Sequence, residues 1–279
     1  MRDATLRRSW LYVPGDRPDR FAKAATSGAD VVICDLEDAV PSANKATARV
    51  AVAAWLREHR AVVRVNGVDT PWHDDDIAAA AGSPGVVAVI LPKSQEPGQI
   101  SEVADRLNNR IALVPLVESA AGVANAAAIA ASPQVSALAF GSIDFALDIG
   151  IDDPGDDEQS ALLYARSALV IASRTAGIAA PIDGVTVGLS DTDGIRRDAR
   201  RARALGFGGK QCIHPRQVDE VNRVFSPSGE ALAWAQRVVE AADSAHGSAV
   251  QFDGQMIDKP RIEQARRLLS ATDQEGSRA

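Results

Sequence analysis

Two carboxylates follow two apolar segments near the middle of the chain. Glu118 ends the run that starts at Ile111, and Asp144 comes just after the run that ends at Phe140. Each run has the length of a strand, and the alanine-rich stretch between them has a helical pattern. If the strands are parallel neighbours, both carboxylates emerge on one face, where Mg²⁺ binds a few carboxylates together with water and substrate. The alternative is that Glu118 caps a helix and Asp144 lies in a polar loop.

Strand-like and helix-like segments alternate through most of the chain. The eight predicted strands are SWLYVPG at 9–15, ADVVICDLED at 29–38, AVVRVNG at 61–67, GVVAVILPK at 85–93, IALVPLVE at 111–118, VSALAFGS at 135–142, a weaker APIDGV at 180–185 and GGKQCIHP at 208–215. Strands rich in Val, Ile and Leu that alternate with helices indicate a parallel sheet buried on both faces. The predicted fold is therefore an α/β protein of the (β/α)₈ TIM-barrel class. An open doubly wound sheet is the alternative, but no G-x-G-x-x-G follows the first strand.

Charged and polar residues stand at nearly every predicted strand end, which is where a barrel of this class carries its catalytic groups. They are Asp35, Glu37, Asp38, Arg64, Asn66, Lys93, Glu118, Asp144, Asp183 and His214. Loops are polar in general, so one such residue would mean little. A set that contains both signs of charge and covers nearly every strand end indicates an active site.

The chain from about residue 226 no longer alternates. A helix is predicted to start near Ser226 or Ser228 and to stop at Gly247, and an extended piece with a turn at 253–254 follows it. A last amphipathic helix is predicted from Pro260 to Leu269, with a frayed polar tail. We therefore expect a barrel over residues 1–225 and a C-terminal helical extension over 226–279. The apolar face of the last helix needs a surface to cover, and a neighbouring subunit offers one; this face consists of Ile262, Ala265, Leu268 and Leu269.

Composition narrows the class of protein. The chain has 279 residues, 46% of them apolar, and a formal net charge of -7, which argues against nucleic acid as the main partner. Cys34 and Cys212 lie in apolar runs without metal-ligand spacing, so we expect reduced core cysteines and a cytoplasmic protein. The apolar run from Trp10 to Val13 is far too short for a signal sequence or a membrane span.

Nine separated motifs, in order from Ser9 to Leu269, carry a resemblance to a known family. They are LYVPGDRPDRFAKA, VICDLEDAVP with Lys45 after it, VVRVNG, ILPKS, PLVESAAG, FGSIDFALDIG, GFGGKQCIHPRQV, VFSPS and GQMIDKP. The chain resembles the CitE-like proteins, the relatives of the citrate lyase beta subunit and malyl-CoA lyase in the HpcH/HpaI aldolase superfamily. The resemblance implies a Mg²⁺-dependent barrel that makes or breaks a carbon–carbon bond between an acyl-CoA unit and a 2-oxo acid.

The resemblance also implies roles for particular residues. Glu118 and Asp144 match the metal ligands, and Arg64 matches the arginine that holds the oxo acid, so Arg64 and Glu118 are the expected substrate-binding residues. Asp258 matches an aspartate on a C-terminal lid that closes over the adjacent active site in a symmetric oligomer, a homotrimer or hexamer. There it would act in trans as the acid or base at the thioester methyl. The alternative is that Asp258 caps the last helix ahead of Pro260.

The roles predicted for other residues are less specific. Arg17, Arg20 and Lys23 follow the first strand and either bind the phosphates of CoA or form a solvated basic face. Glu37 is a candidate catalytic residue that, with Asp38, binds metal-held water or orients Arg64. The alternative is a salt bridge with Lys45 or Arg64, and the two interpretations are compatible. Lys93 is expected as a substrate contact or a rim ion pair, and His214 as a residue that shapes the last turn. The aromatic residues Trp10, Tyr12, Phe140 and Phe145 are assigned to packing.

These observations predict an enzyme, a Mg²⁺-dependent carbon–carbon lyase. Its substrate is a citryl-, malyl- or related 3-hydroxyacyl-CoA, which it cleaves to an acyl-CoA and a 2-oxo acid. Three alternatives stay open: an aldolase that acts on hydroxy-oxo acids without CoA, a malate-synthase-like enzyme that hydrolyses the thioester, and a non-catalytic metabolite-binding subunit. The size of the acyl group cannot be read from the sequence, because a methylene changes binding by only about 1–3 kcal/mol.

Overall fold

The structure is a computed structural model that describes residues 7–151, 158–189, 191–244, 250–252 and 255–276. The chain divides into two compact units: Arg7–Phe225, and a second that contains the chain from Ser226 onward. In the described residues no helix is both long enough and apolar enough to span a membrane.

Eight parallel strands close into a barrel in the first unit. They are β1 Ser9–Pro14, β2 Val31–Asp35, β3 Ala61–Arg64, β4 Val86–Leu91, β5 Ala112–Val117, β6 Ala139–Phe140, β7 Ile182–Asp183 and β8 Gly209–Cys212. Each strand pairs with the next, and β1 pairs with β8 to complete the ring. The predicted (β/α)₈ class is confirmed, and each of the eight predicted segments contains one barrel strand.

Helices surround the barrel and cover the outer face of its strands. They are α1 Phe21–Ala25, α2 Lys45–Trp55, α3 His73–Ala81, α4 Pro97–Arg106, α5 Ala120–Ala124, α6 Ala126–Ala130, α7 Ser142–Asp148, α8 Glu158–Ala161, α9 Leu163–Thr175, α10 Thr192–Leu205 and α11 Val218–Phe225. Their apolar faces pack with outward-facing strand residues such as Val63, Val89 and Leu113 in one large core. This packing follows from parallel strands that are buried on both faces.

A second, smaller core fills the inside of the barrel. Trp10, Ile33, Val62 and Leu116 belong to it, each from a different strand. Because side chains alternate between the two faces of a strand, the residue two positions further along also points inward. The inward-facing positions after this apolar core are therefore the ones that line the mouth of the barrel.

The second unit consists of two helices and a small sheet. They are α12 Gly229–Ser244, β9 Val250–Phe252, β10 Gln255–Ile257 and α13 Lys259–Gly276. The two strands pair antiparallel. The predicted turn at 253–254 and the helix stop at Gly247 lie outside the described residues. α13 continues to Gly276, so the predicted helix end at Leu269 is wrong, and the expectation of a frayed tail from Thr272 is wrong as far as residue 276.

The apolar face of α13 packs against α12 of the same chain. Ile262 and Ala265 are buried in one cluster with Ala235 and Val238, and Leu268 and Leu269 pack at its edge. The expectation that this face needs a neighbouring subunit is therefore wrong, because the preceding helix already covers it. A role for this unit as a lid remains a prediction.

Candidate active site

A cavity of about 410 Å³ opens where the barrel strands end. Its polar lining includes Tyr12, Arg64, Glu118 and Gln211, and its rim includes Asp144. Tyr12, Arg64 and Glu118 each stand two residues after a member of the inner apolar core, which is why they point into the cavity. The barrel thus collects charged groups from strands that are far apart in the sequence.

Arg64 is held in the cavity by carboxylates from the end of β2. Its Nε and Nη2 donate to the two oxygens of Asp35, both at 2.7 Å, and its Nη1 lies 2.8 Å from Oε2 of Glu37. Its guanidinium also stacks on the ring of Tyr12, 4.7 Å from the centroid. Burial alone would lower the pKa of Arg64, but the Asp35 carboxylate raises it well above its usual value. A guanidinium has five N–H donors, so about two remain for a ligand.

Glu118 is a buried carboxylate that forms no ion pair with the described residues. Only 6% of the residue is exposed, and no side-chain nitrogen of a described lysine or arginine lies within 4.0 Å of its carboxylate. Oε1 accepts the backbone N–H of Lys93 at 2.7 Å. Burial, and then the charge of Glu37, raise the pKa of Glu118 to about 8. A carboxylate in this state is stabilised by a positive charge, either a proton that it binds or a metal ion beside it.

Asp144 lies in the first turn of α7 and lines the same cavity. Its charge is among those that raise the pKa of Glu118. The alternative in which Glu118 caps a helix is wrong, because Ser119 is the N-cap residue of α5 and its side chain accepts the N–H of Gly122. Nor does Asp144 lie in a loop. The structure brings both carboxylates to one cavity, as the sequence predicts.

Glu37 and Lys93 lie beside Arg64 and Glu118, next to the cavity but outside its lining. The Lys93 ammonium lies 3.4 Å from Oε1 of Glu37, so the predicted rim ion pair is present. Asp38 is farther away, 3.9 Å from Arg64, and largely exposed. Burial, opposed by the charge of Arg64, raises the pKa of Glu37. The side chain of Glu37 therefore forms the expected salt bridge with Arg64 and not with Lys45, and its role in orienting Arg64 remains a prediction.

Lys45 instead fastens the loops that follow β2 and β3. Its ammonium donates to the carbonyl oxygens of Leu36 and Glu37 and to the side chain of Asn66, all within 2.8 Å. Asn66 is buried in this contact and does not line the cavity. These two residues position Glu37 through its backbone.

Two residues selected by their position at a strand end lie elsewhere. Asp183 points outward because Ile182, its neighbour on β7, fills the barrel interior. It binds Arg166 at 2.9 Å under the outer helices, and Lys210 lies 3.8 Å away. His214 accepts the N–H of Arg216 and so shapes the last turn, as expected.

The basic residues after β1 are exposed. Arg17 forms a two-point contact with Asp19, at 3.0 and 2.8 Å, while Arg20 and Lys23 lie on α1 or just before it. α1 has only five residues, which limits the help a helix dipole gives to an anion. Their predicted contact with CoA phosphates remains a prediction.

Asp258 is exposed and precedes α13 in the second unit. Its Oδ1 accepts the N–H of Arg261 at 3.4 Å, and its carbonyl accepts the N–H of Ile262 at 3.1 Å. The capping alternative is therefore present in the structure. Capping at this long distance leaves the carboxylate solvated, and a catalytic role in another subunit remains a prediction.

Tyr12 and Gln211 are site residues that the sequence analysis missed. Tyr12 was assigned to packing, yet its hydroxyl donates to Oε1 of Gln211 at 2.7 Å while its ring supports Arg64. Burial raises the pKa of Tyr12, so the hydroxyl stays protonated. Gln211 in turn donates to the carbonyls of Phe140 and Asp183. The alternation that carries Trp10 inward also carries Tyr12 inward, and this signal was available in the sequence.

The donor set in the cavity suits Mg²⁺. Among the described residues no group of three or more His, Cys, Asp or Glu side chains is arranged to hold a metal ion. Mg²⁺ needs no such group, since it commonly binds one or two carboxylates and takes its other oxygens from substrate and water. Glu118 and Asp144 supply two carboxylates in this cavity, and the positively charged Arg64 lines the same cavity.

Comparisons with known proteins identify the family of the chain. Residues 8–215 match the model of the HpcH/HpaI aldolase/citrate lyase family. A citrate lyase subunit beta-like protein of Deinococcus radiodurans is 39% identical over 95% of this chain and 97% of its own length. An L-malyl-CoA/beta-methylmalyl-CoA lyase of Cereibacter sphaeroides is 35% identical over 92% of each chain.

A solved structure of a related protein is also similar to this chain. The crystal structure of CitE from Mycobacterium tuberculosis, in complex with magnesium, acetoacetate and coenzyme A, has a TM-score of 0.86 and 35% identity to this chain. The match covers 98% of this chain and 100% of that one. The family model spans the barrel and the relatives match along almost the whole length, so the chain belongs to the HpcH/HpaI aldolase/citrate lyase family.

Proposed function

We propose that this enzyme is a Mg²⁺-dependent lyase that cleaves a 3-hydroxyacyl-CoA, such as a citryl- or malyl-CoA ester, into an acyl-CoA and a 2-oxo acid. One observation carries the proposal: the buried carboxylate of Glu118, with no cationic partner among the described residues, shares a cavity with Asp144 and Arg64. A structural carboxylate in a protein interior is normally paired with a cation. A site that leaves one unpaired at the catalytic end of a barrel is suited to a metal ion.

Glu118 and Asp144 would hold the ion. When bound, Mg²⁺ acts as a Lewis acid toward the oxygens of the oxo acid and fixes their orientation. The relatives support this choice, because the similar CitE structure contains magnesium together with acetoacetate and coenzyme A.

Arg64 would bind the oxygen that changes from hydroxyl to carbonyl during cleavage. Asp35 holds the guanidinium at one edge and Glu37 at another, so the remaining N–H groups point in a fixed direction. Preorganised donors of this kind stabilise charge in the transition state without a cost of reorientation at that moment. In this proposal Glu37 acts on the substrate through Arg64.

An acid or base is still required at the thioester methyl, where cleavage leaves an enolate. We assign this role to Asp258, delivered from another subunit by the extension over 226–279 in a homotrimer or hexamer. Arg17, Arg20 and Lys23 are assigned to the CoA phosphates. Cys34 and Cys212 are free and buried, which fits a reducing compartment and therefore the cytoplasm.

A panel of CoA thioesters tests the function. The enzyme is incubated with citryl-CoA, malyl-CoA and related esters, with Mg²⁺ or with excess chelator, and the products are separated by chromatography. We expect an acyl-CoA and a 2-oxo acid, formed only with Mg²⁺. Free CoA with a free hydroxy acid would identify the thioester-hydrolysing alternative, and cleavage of hydroxy-oxo acids without CoA would identify the aldolase.

A pair of glutamate variants tests whether turnover requires Glu118. Glu118→Gln should abolish turnover, whereas Glu102→Gln, on the exposed face of α4, should leave it unchanged. No turnover by the wild-type enzyme on any ester, together with tight binding of a 2-oxo acid, would favour the non-catalytic alternative.

A further inference from the structure

The backbone of Lys93 has an uncommon conformation at the edge of the active site. Its φ angle is 52°, in the left-handed region that residues with a side chain seldom occupy. Lys93 follows β4, and the next residue ties this turn down, since the N–H of Ser94 donates to the carbonyl of Leu116 and its hydroxyl to that of Leu91. Backbone strain that the surroundings maintain is often part of a functional site.

The left-handed turn directs one backbone donor at a side chain of the site. The N–H of Lys93 donates to Oε1 of Glu118 at 2.7 Å. The N–H groups of Asn108 and Asn109, which also have positive φ, donate to ordinary backbone carbonyls. Asparagine tolerates this conformation better than lysine does. The strain at Lys93 therefore coincides with a contact to the proposed metal ligand.

The other oxygen of Glu118 is confined from the opposite side. A Cβ atom on Gly141 would lie 2.4 Å from Oε2 of Glu118, so only glycine leaves room for the carboxylate. One oxygen is thus bound by the N–H of Lys93 and the other lies against the backbone after β6. The plane of the carboxylate is fixed before any ligand arrives.

The side chain of Lys93 makes a second contact within the site. Its ammonium lies 3.4 Å from Oε1 of Glu37, while Oε2 of Glu37 lies 2.8 Å from Nη1 of Arg64. One residue therefore touches Glu118 through its backbone and the partner of Arg64 through its side chain. Through these two contacts Lys93 connects Glu118, the proposed metal ligand, with Glu37, the partner of Arg64.

We infer that Lys93 is a positioning residue with two separable functions: its left-handed backbone fixes Glu118 for a divalent cation, and its ammonium group fixes Glu37 and through it Arg64. The inference rests on the proposed function for the identity of the cation and deepens it. It predicts that changes in the backbone preference at position 93 act on metal affinity, whereas loss of the ammonium acts on substrate.

Four substitutions separate the two functions. Glycine and asparagine accept a positive φ, alanine accepts it less well, and a β-branched valine resists it. All four remove the ammonium. In metal-free protein, Mg²⁺ alone is titrated by calorimetry. We expect Lys93→Gly and Lys93→Asn to bind Mg²⁺ at least as tightly as the wild type, because a nearby positive charge is gone, and Lys93→Val to bind it at least tenfold more weakly. The Mg²⁺ affinity of Lys93→Ala should lie between these values, and this variant replaces Lys93→Val in the comparison if the valine variant does not fold.

A matched control exists at Gln134, an exposed residue with φ of 60° in the segment before β6, whose carbonyl accepts the N–H of Leu113 near the start of β5. Gln134→Val imposes the same backbone conflict without contact to Glu118. It should lower the melting temperature and leave Mg²⁺ affinity unchanged. Kinetics supply the second readout: Lys93→Gly should raise KM for the substrate at least threefold, although its metal affinity is intact.

The results that would overturn the inference are specific. Equal Mg²⁺ affinity in the glycine and valine variants would exclude the backbone function, and an unchanged KM in Lys93→Gly would exclude the ammonium function. Weaker Mg²⁺ binding by Gln134→Val would show a general effect of stability. A wild-type enzyme that cleaves no thioester, while the variants keep the expected order of Mg²⁺ affinity, would overturn the proposed function and the ammonium function of Lys93, and would leave its backbone function standing. No Mg²⁺ binding to the wild type would overturn both.

Discussion

At the scale of single residues, the site is organised around one buried carboxyl group that pairs with no cation of the described residues and one well-paired guanidinium group. Burial and the charge of Glu37 raise the pKa of Glu118 to about 8. The positive charge of Arg64 is balanced by ion pairs with Asp35 and Glu37. The free energy that folding loses by burying Glu118 is recovered when a cation binds there. Metal binding and stability are therefore linked through this carboxylate.

The first prediction concerns the metal-free stability of Glu118→Gln. The pKa of Glu118 is about 8 in the folded protein against an ordinary value of 4.5, so the folded state keeps a proton that the unfolded state releases. Between about pH 4.5 and 8 the stability of the wild type must then fall as pH rises. The glutamine variant lacks this loss. We expect it to be more stable than the wild type at pH 8, by on the order of 2–4 kcal/mol, and similar at pH 4.5.

Denaturant unfolding of both metal-free proteins across this pH range is the measurement. Addition of Mg²⁺ should stabilise the wild type and not the variant. A constant difference in stability between the two proteins at all pH values would contradict a raised pKa at Glu118.

The second prediction concerns Arg64→Lys. Lysine keeps the charge but cannot bind both oxygens of Asp35 and also reach a ligand, since it lacks the planar fork. We expect kcat/KM to fall about 100-fold, as two or three charge-assisted hydrogen bonds are lost. Stability should fall by about 1–3 kcal/mol, because Asp35 is fully buried and loses its two-point partner. Steady-state kinetics and thermal unfolding test this, and near-normal turnover would exclude the role of Arg64.

At the scale of elements, strand alternation explains why the site forms where it does. β1, β2, β3 and β5 each place an apolar residue inside the barrel and, two positions later, a polar one at its mouth. The segments after β2 and β4 then add Glu37 and Lys93 beside this ring, and the first turn of α7 adds Asp144. The end of β6 contributes space, because Gly141 is the point of closest approach to Glu118.

Gly141→Ala is the third prediction. The new methyl group would lie 2.4 Å from Oε2 of Glu118 and 2.5 Å from its Cβ, so the carboxylate must move. We expect Mg²⁺ affinity to fall at least tenfold and stability to fall by about 1–3 kcal/mol. Gly98→Ala is the matched control, because an added methyl there has no atom within 4 Å and α4 gains a better helix former. Calorimetry and thermal unfolding compare the pair, and equal Mg²⁺ affinity in both would exclude the steric role of Gly141.

At the scale of the whole molecule, the barrel unit carries Arg64 and the proposed metal ligands Glu118 and Asp144, whereas the proposed acid or base lies in the other unit. The helices of that unit cover each other's apolar faces, so their hydrophobicity gives no evidence for a partner. Evidence for a shared site must therefore come from an experiment on mixed subunits.

The fourth prediction is complementation between Asp258→Ala and Arg64→Ala. Each variant should be inactive alone. If Asp258 acts in trans, random co-assembly from equal amounts places an intact barrel beside an intact Asp258 at roughly one site in four, with that fraction of wild-type activity. Co-expression with two affinity tags verifies the mixed oligomers. Mixed oligomers without activity would leave Asp258 as the cap of α13 or as a residue that acts on its own barrel.

The sequence by itself determined the barrel and most of the site. Eight apolar runs with charged residues at their ends fix the strands, because burial on both faces and a period of two are local properties of the chain. The position of Glu118 and Asp144 after two neighbouring parallel strands predicts that they meet at one cavity. Motifs in a fixed order supplied the family.

The tertiary structure alone decided which charges pair. Asp35 binds Arg64 from 29 positions away and Lys93 reaches Glu118 from 25, contacts that no local pattern specifies. Asp183 has the same place in the sequence pattern as the site residues, yet it points outward, since the register of β7 puts Ile182 inside. A strand's period separates two faces but does not say which one faces the barrel axis; closure of the ring makes that choice.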